Sequence, residues 1–207
     1  MSPGTAYGHL TIPVLAMTVV VAASNFFVQF PFEYLGLEEL FTWGAFTYPL
    51  SFFVTELTNR RFGPSDARRV VYVGFALAVV LSFWLSTPRI AMASGCAFLL
   101  AQLLDVTIFD RLRNQAWWQA PLASSAMGSV LDTLIFFTLA FAGTGLGTAH
   151  YGIRGVGIEL PIWMGWAIGD LGVKLAVSLL LLVPFRMLRA LIPAREALEL
   201  RAPRDAA

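Results

Sequence analysis

The sequence has few charged residues and a single cysteine. Of its 207 residues, 13% are charged and 57% are hydrophobic, and the mean hydropathy is +0.71. Soluble domains carry about 25% charged residues, so a soluble chain of this length would lack the polar surface to cover its apolar one. Because Cys96 is the only cysteine, an intrachain disulfide is excluded. The composition indicates an integral membrane protein.

Several signatures of catalysis are missing as well. The sequence has no HExxH, P-loop, GxSxG or Cys/His cluster, and its two histidines, His9 and His150, lie in flanks or loops. We therefore expect no enzyme, no metal site, no cofactor and no nucleic-acid partner. No lysine or arginine precedes the first apolar run, and that run is long enough to span, so we expect a membrane helix there and not a cleaved signal peptide.

Apolar runs of about twenty residues match the thickness of the hydrocarbon core. Six such runs predict an all-α polytopic membrane protein, with one six-helix transmembrane domain over residues 1–207. The predicted spans are 10–30, 41–58, 69–87, 90–109, 120–142 and 161–186. The glycine-rich loop 143–160 is predicted to be irregular, and the polar tail 188–207 to form a short interfacial helix.

The arginines alternate between the two sides of the predicted bundle. Eleven arginines lie in loops 2–3 and 4–5 and in the C-terminal segment, and two lie in the opposite loops. The positive-inside rule then places both termini in the cytoplasm, which fits a multi-pass protein of the inner (plasma) membrane. The single lysine, Lys174, falls inside the sixth span.

Polar or aromatic residues recur at helical spacing inside five of the six spans. They are Asn25 and Gln29 in span one, Phe46 and Glu56 in span two, Gln102 and Asp105 in span four, Asp132 in span five, and Asp170 and Lys174 in span six. A charge at the bilayer centre costs about 3 kcal/mol or more, so such residues face the bundle interior or a water-filled cavity. We predict one interior site that collects them. Span three lacks a polar stripe and is predicted to face lipid.

Structural roles are open for several of these residues. Asp170 and Lys174 are spaced i, i+4 and could simply neutralise each other, and Glu56 could pair with Arg60 at the same spacing. The amide side chains of Asn25, Gln29 and Gln102 could be interhelical hydrogen-bond partners.

Asp132 and Asp105 have no obvious cation on their own helix, which favours a functional role. The spans contain four carboxylates and a single lysine, which leaves three negative charges uncompensated when all are ionised. Either loop arginines reach in, or some of the carboxyls are protonated.

Five segments together resemble the queuosine precursor transporter family, the YhhQ-like members of the vitamin uptake transporters. They are SNFFVQFP, TWGAFTYPLSFFVTELTNRRFG, AQLLDVTIFDRLR, WWQAPLASSAMGSVLDTLIFF and GDLGVK. The resemblance implies import of 7-cyano-7-deazaguanine, 7-aminomethyl-7-deazaguanine or both into the cytoplasm. It also implies a fold similar to the substrate-binding subunits of energy-coupling-factor transporters.

The resemblance adds Trp43 of TWGAF to the predicted substrate-binding residues. The sequence departs from the family pattern at Glu56, where members commonly have Asp, and at Ser129, where Asn is expected. The connection 87–90 is also short.

Two alternatives to an independent importer are open. One is a substrate-binding subunit for a related heterocycle or vitamin, which would need an energising ATPase partner. The other is a membrane enzyme acting on a lipid or isoprenoid head group, although the acids are scattered over four spans without a DxxD pair. The expected partners are a small-molecule substrate and membrane lipid. The sequence leaves open whether the chain forms a homo-oligomer.

Overall fold

The computed structural model describes residues 8–34, 42–153 and 156–194. These residues form seven α-helices and one antiparallel hairpin, so the all-α prediction is confirmed apart from two short strands. After a 3-10 turn at Gly8–Leu10, the elements are α1 (Thr11–Phe27), α2 (Gly44–Thr47), α3 (Leu50–Phe62), α4 (Pro64–Leu85), α5 (Pro88–Leu112), α6 (Gln119–Phe141), β1 (Thr148–Ile153), β2 (Val156–Pro161) and α7 (Ile162–Leu191). Most of the tail predicted as an interfacial helix lies outside the described residues.

Five of the helical segments are long and apolar enough to cross a membrane. They are Gly8–Phe27, Pro64–Leu85, Pro88–Leu112, Gln119–Phe141 and Ile162–Leu191. Large apolar side chains such as Ile12, Trp84 and Leu180 point outward and are 80%, 83% and 70% exposed, which suits contact with lipid tails. The chain is a multi-pass membrane protein.

The second predicted span is broken into α2 and α3. Pro49 has no backbone N–H to continue the ladder of α2, and α3 begins at Leu50. Residues 44–62 together still rise about 28 Å at 1.5 Å per residue, enough to cross most of the hydrocarbon core. The break places Tyr48 at the junction of the two helices.

The loop between the last two spans is more regular than predicted. An open turn covers 143–147, in which Gly143, Gly145 and Gly147 adopt positive φ. The strands β1 and β2 then pair antiparallel from Thr148↔Pro161 to Ile153↔Val156. We call this side of the bundle the hairpin end and the opposite side, where α3 ends and α6 begins, the arginine end.

The prediction that span three faces lipid holds for one side of this helix, where Trp84 is 83% exposed, and does not describe its other side. One face of this helix, α4, buries Val70, Val71 and Ala78 against α1 and α5, where Met17 and Phe98 belong to the same apolar cluster. Ser82, one turn further on, is also buried. This face is hard to recognise from the sequence because its buried residues are mostly apolar, like those of the lipid-facing side.

Close approach of α3 and α6 depends on Gly128. A Cβ at this position would lie 2.8 Å from Phe52 Cε1 and 3.4 Å from the Ala101 carbonyl oxygen. Real Cβ atoms do not approach other atoms so closely, so only glycine fits without displacing the Phe52 ring. This contact fixes the distance between α6, which carries Asp132, and the broken second span.

Candidate functional site

A cavity of about 500 Å³ occupies the hairpin half of the bundle, between α1, α2, α4, α5, α6 and α7. It extends inward as far as Asp132, which lies nine residues before the end of α6 at Phe141. At 1.5 Å per residue this is about 14 Å along the helix, close to the middle of a membrane. Five predicted site residues line it: Asn25, Gln29, Asp132, Asp170 and Lys174.

The floor of the cavity is a buried group of charges. Lys174 Nζ lies 2.7 Å from Asp132 Oδ2 on α6 and 2.5 Å from Asp170 Oδ2 one turn earlier on α7. Asp132 has no cation on its own helix, as the sequence indicated, and its cation comes from the neighbouring helix α7. When all three groups are ionised, the two carboxylates and one ammonium leave the floor with one net negative charge.

Two hydroxyls complete the floor. Tyr48 donates to Asp132 Oδ1 at 2.6 Å, and Thr133 donates to Asp170 Oδ2 at 2.9 Å. Lys174 Nζ also lies 5.0 Å from the centre of the Tyr48 ring, within range of a cation–π contact. The sequence analysis missed both hydroxyls. Thr133 adjoins Asp132, whereas Tyr48 lies at the junction of α2 and α3.

An amide group forms one wall. Asn25 Nδ2 donates to the Val21 carbonyl oxygen at 3.0 Å, and its Oδ1 accepts from Ser82 on α4 at 3.0 Å. Gln29 follows one turn nearer the hairpin end, with Nε2 3.5 Å from the Asn25 carbonyl oxygen. The wall therefore offers amide donors and acceptors that the protein uses only in part.

Aromatic rings line the part of the cavity nearest the hairpin end. Phe136, Phe137 and Phe141 of α6 and Trp166 of α7 are among the lining residues. Phe141 and Trp166 are in edge contact, with their centroids 5.5 Å apart. A flat ligand on the polar floor would therefore have aromatic faces above it.

Trp43 and Phe46 lie outside the residues that line the cavity. Their rings pack with each other at 5.7 Å and with Phe32 at 4.9 and 5.1 Å, near the hairpin end. Trp43 is 38% exposed. Their predicted contact with substrate stays a prediction.

Gln102 stands behind the cavity wall. Its Nε2 donates to Ser51 Oγ and its Oε1 accepts from Thr55 Oγ1, both at 2.7 Å. Ser51 itself lines the cavity. The geometry therefore supports a positioning role for Gln102, which orients Ser51 from the adjacent helix.

Glu56 and Asp105 interact electrostatically with each other and lie apart from the floor. They lie on α3 and α5 toward the arginine end, 3% and 0% exposed, and neither lines the cavity. Ser124 on α6 donates to Glu56 Oε1 at 3.2 Å. The suggested Glu56–Arg60 ion pair does not occur among the described residues. Glu56 instead accepts a hydrogen bond from the Ser124 hydroxyl on α6.

The fold and the site define a class: a polytopic membrane protein with a charged, aromatic-lined cavity that reaches about halfway through the bundle. A family model described as "Putative vitamin uptake transporter" matches residues 42–87 and 81–188. The chain belongs to this vitamin uptake transporter family.

Curated relatives carry a more specific name. A "Queuosine precursor transporter" of Escherichia coli is 40% identical over 144 residues, which cover 59% of this chain and 64% of that protein. A "Probable queuosine precursor transporter" of Haemophilus influenzae is 39% identical over 153 residues, with 59% and 65% covered. A Bacillus subtilis protein of the same name is 26% identical over 183 residues, with 75% and 74% covered.

The chain thus spans less than two thirds of the length of the Haemophilus and Escherichia relatives. No solved structure matches the chain significantly.

Proposed function

We propose that this protein imports 7-deazaguanine precursors of queuosine across the membrane, with the substrate held in the cavity above Lys174. The observation that carries the proposal is the buried Asp132–Lys174–Asp170 group at the floor of a cavity of about 500 Å³. Small-molecule sites typically measure about 300–1,000 Å³ and combine apolar walls with a few polar groups. The names of the relatives supply the substrate class.

The chemistry of a deazaguanine complements the floor. Its ring N–H and exocyclic amine are adjacent donors, and a carboxylate such as Asp132 accepts from such a pair. Its carbonyl oxygen requires a donor, which Lys174 or an amide of the Asn25 wall supplies. Stacking of a base on an aromatic ring contributes about 1–3 kcal/mol, and Phe136 and Trp166 are the candidates.

The orientation of the cavity gives a substrate access from outside the cell. The excess of arginine at the arginine end assigns that end to the cytoplasm by the positive-inside rule. The cavity, which lies in the hairpin half, then faces the outside of the inner (plasma) membrane. In this arrangement both termini are cytoplasmic and the substrate enters from the hairpin end.

Direct binding tests the proposal. The purified protein is titrated with 7-cyano-7-deazaguanine, 7-aminomethyl-7-deazaguanine, guanine and a panel of vitamins. We expect at least one deazaguanine to bind more tightly than guanine, because guanine lacks the 7-substituent that distinguishes the precursors. Binding of a vitamin and of no deazaguanine would refute the proposed substrate class.

Reconstitution separates this function from that of a subunit requiring an ATPase partner. Proteoliposomes that contain only this chain are given labelled precursor outside and unlabelled precursor inside. We expect exchange without ATP or any other protein. Binding without exchange would identify a substrate-binding subunit.

A further inference from the structure

A second polar group lies deeper than the cavity, toward the arginine end. Glu56 of α3, Asp105 of α5 and Ser124 of α6 are 3%, 0% and 0% exposed. We call Glu56 and Asp105 the inner acid pair. The floor described above uses neither residue.

The inner acid pair has too few hydrogen-bond donors. The Ser124 hydroxyl has a single hydrogen, and it lies 3.2 Å from Glu56 Oε1. Both carboxyl oxygens of Asp105 are buried and have no hydrogen-bond partner among the residues that the structure describes. Because nearly all buried polar atoms are hydrogen-bonded, an unpartnered and fully buried carboxyl requires an explanation.

The surrounding cations are engaged elsewhere. Within residues 8–34, 42–153 and 156–194, no salt bridge joins a cation to Glu56 or Asp105. On α5, Arg113 pairs with Asp110 at 2.9 Å and donates to the Asn59 carbonyl oxygen. On α7, Lys174 is held by the floor and Arg186 lies over the Trp117 ring at 5.4 Å.

In the part of the chain that the structure describes, no ion pair reaches Glu56 or Asp105 from α3, α4 or α6 either. On α3, Arg61 lies over the Phe62 ring, and Arg60 follows Glu56 by one turn toward the arginine end. On α4, Asp66 bonds His9 and Arg69 near the start of that helix. The charged residue of α6 is Asp132, which belongs to the floor.

We propose that the inner acid pair holds a proton inside the membrane and is the proton site of a proton-coupled uptake step. Two ionised carboxylates without a cation are costly in an apolar interior, whereas one shared proton removes a charge and adds an O–H donor. The proton enters from the outer solution and leaves to the cytoplasm, and no covalent bond to the substrate forms. The coupling part of this inference rests on the proposed transport function.

A small cavity lies beside Glu56, on the side of the pair that faces α7. Glu56, Ser125 and Ser178 line a void of about 10 Å³, close to the space that one water molecule needs. Ser178 Oγ donates to the Lys174 carbonyl oxygen at 2.8 Å. The void and one turn of α7 thus separate Glu56 from Lys174, which lies at the floor of the cavity.

Infrared spectroscopy tests the proton without any substrate. Protonated carboxyls absorb in a carbonyl-stretch band apart from the carboxylate bands. We expect this band in the purified parent at neutral pH, a change in its position or intensity in each of Glu56→Gln and Asp105→Asn, and its loss when both substitutions are combined, because a single buried carboxyl without a cation still holds a proton. The control Asp110→Asn, also on α5 but partly exposed and paired with Arg113, should retain it. A parent without the band, or a band that survives both substitutions, would overturn the proposal.

Transport measurements test the coupling. In proteoliposomes with an acidic exterior, the parent should accumulate labelled precursor, and Glu56→Gln should lose accumulation while it keeps substrate exchange and binding. Accumulation by Glu56→Gln at the parental level would refute coupling through the pair. Failure of the parent to bind any deazaguanine would instead refute the proposed substrate, and the infrared result would still decide whether the pair holds a proton.

Discussion

Lys174 of α7 bonds Asp132 of α6 at 2.7 Å, although the two residues are 42 positions apart in the sequence. Asp170 shares the same ammonium from one turn away. The lysine is therefore a bridge between two helices, and its charge is fixed at the inner limit of the cavity. This relationship determines how substitutions at the floor should behave.

Lys174→Met should strongly destabilise the protein, because it leaves two buried carboxylates without their cation. Breaking a buried ion pair costs about 3–5 kcal/mol. The triple variant Asp132→Asn, Asp170→Asn, Lys174→Met removes all three charges and should recover much of the loss. Melting temperatures in detergent measure both effects.

The control for the lysine series is Arg186→Met, which removes a cation near the C-terminal end of α7. It should lower the melting temperature less than Lys174→Met does. A triple variant no more stable than the single one would mean that stranded charge is not the cause.

Asp132→Asn should weaken precursor binding. The amide places a donor where the carboxylate accepted, opposite the donors of the base. A mismatched buried polar group costs about 1–3 kcal/mol, roughly a tenfold to hundredfold loss of affinity. Stability without ligand should also fall, since Lys174 loses one of its two carboxylates. Titration of the purified variant beside Asp110→Asn checks this, and parental affinity would remove Asp132 from the substrate site.

Tyr48→Phe should separate stability from binding at the same carboxylate. It keeps the ring contacts with Phe52 and Phe98 and deletes only the hydroxyl that donates to Asp132. A hydrogen bond to a charged group contributes about 1.5–3 kcal/mol, so the melting temperature should drop. The affinity should change by less than about tenfold, because a donor of the base can use the freed oxygen. An unchanged melting temperature would contradict the role of this bond.

Gly128→Ala should destabilise the bundle, because the new methyl would meet the Phe52 ring. Overpacking a core costs about 1–3 kcal/mol. Gly172→Ala is the matched control, since a Cβ there has no neighbour within 4 Å and alanine is the better helix former by about 1 kcal/mol. Thermal unfolding of the two variants should therefore shift in opposite directions.

The local pattern of hydropathy decided the membrane class and the positions of the spans. Each residue advances a helix by 1.5 Å, so an apolar run of sufficient length reports a crossing without any tertiary information. The same reasoning located Asp132, Asp170 and Lys174 at similar depth. It did not predict the hairpin. The glycine-rich loop was predicted to be irregular, whereas the strands β1 and β2 stabilise each other by pairing.

Only tertiary structure decided which polar residues meet. Tyr48, at the junction of α2 and α3, donates to Asp132 from 84 positions away in the sequence. Helical spacing groups residues on one helix, but the rotation of that helix against its neighbours depends on packing such as the Gly128–Phe52 contact. That packing sets Asp132 beside Lys174 in the cavity and leaves Glu56 with Asp105 beneath it.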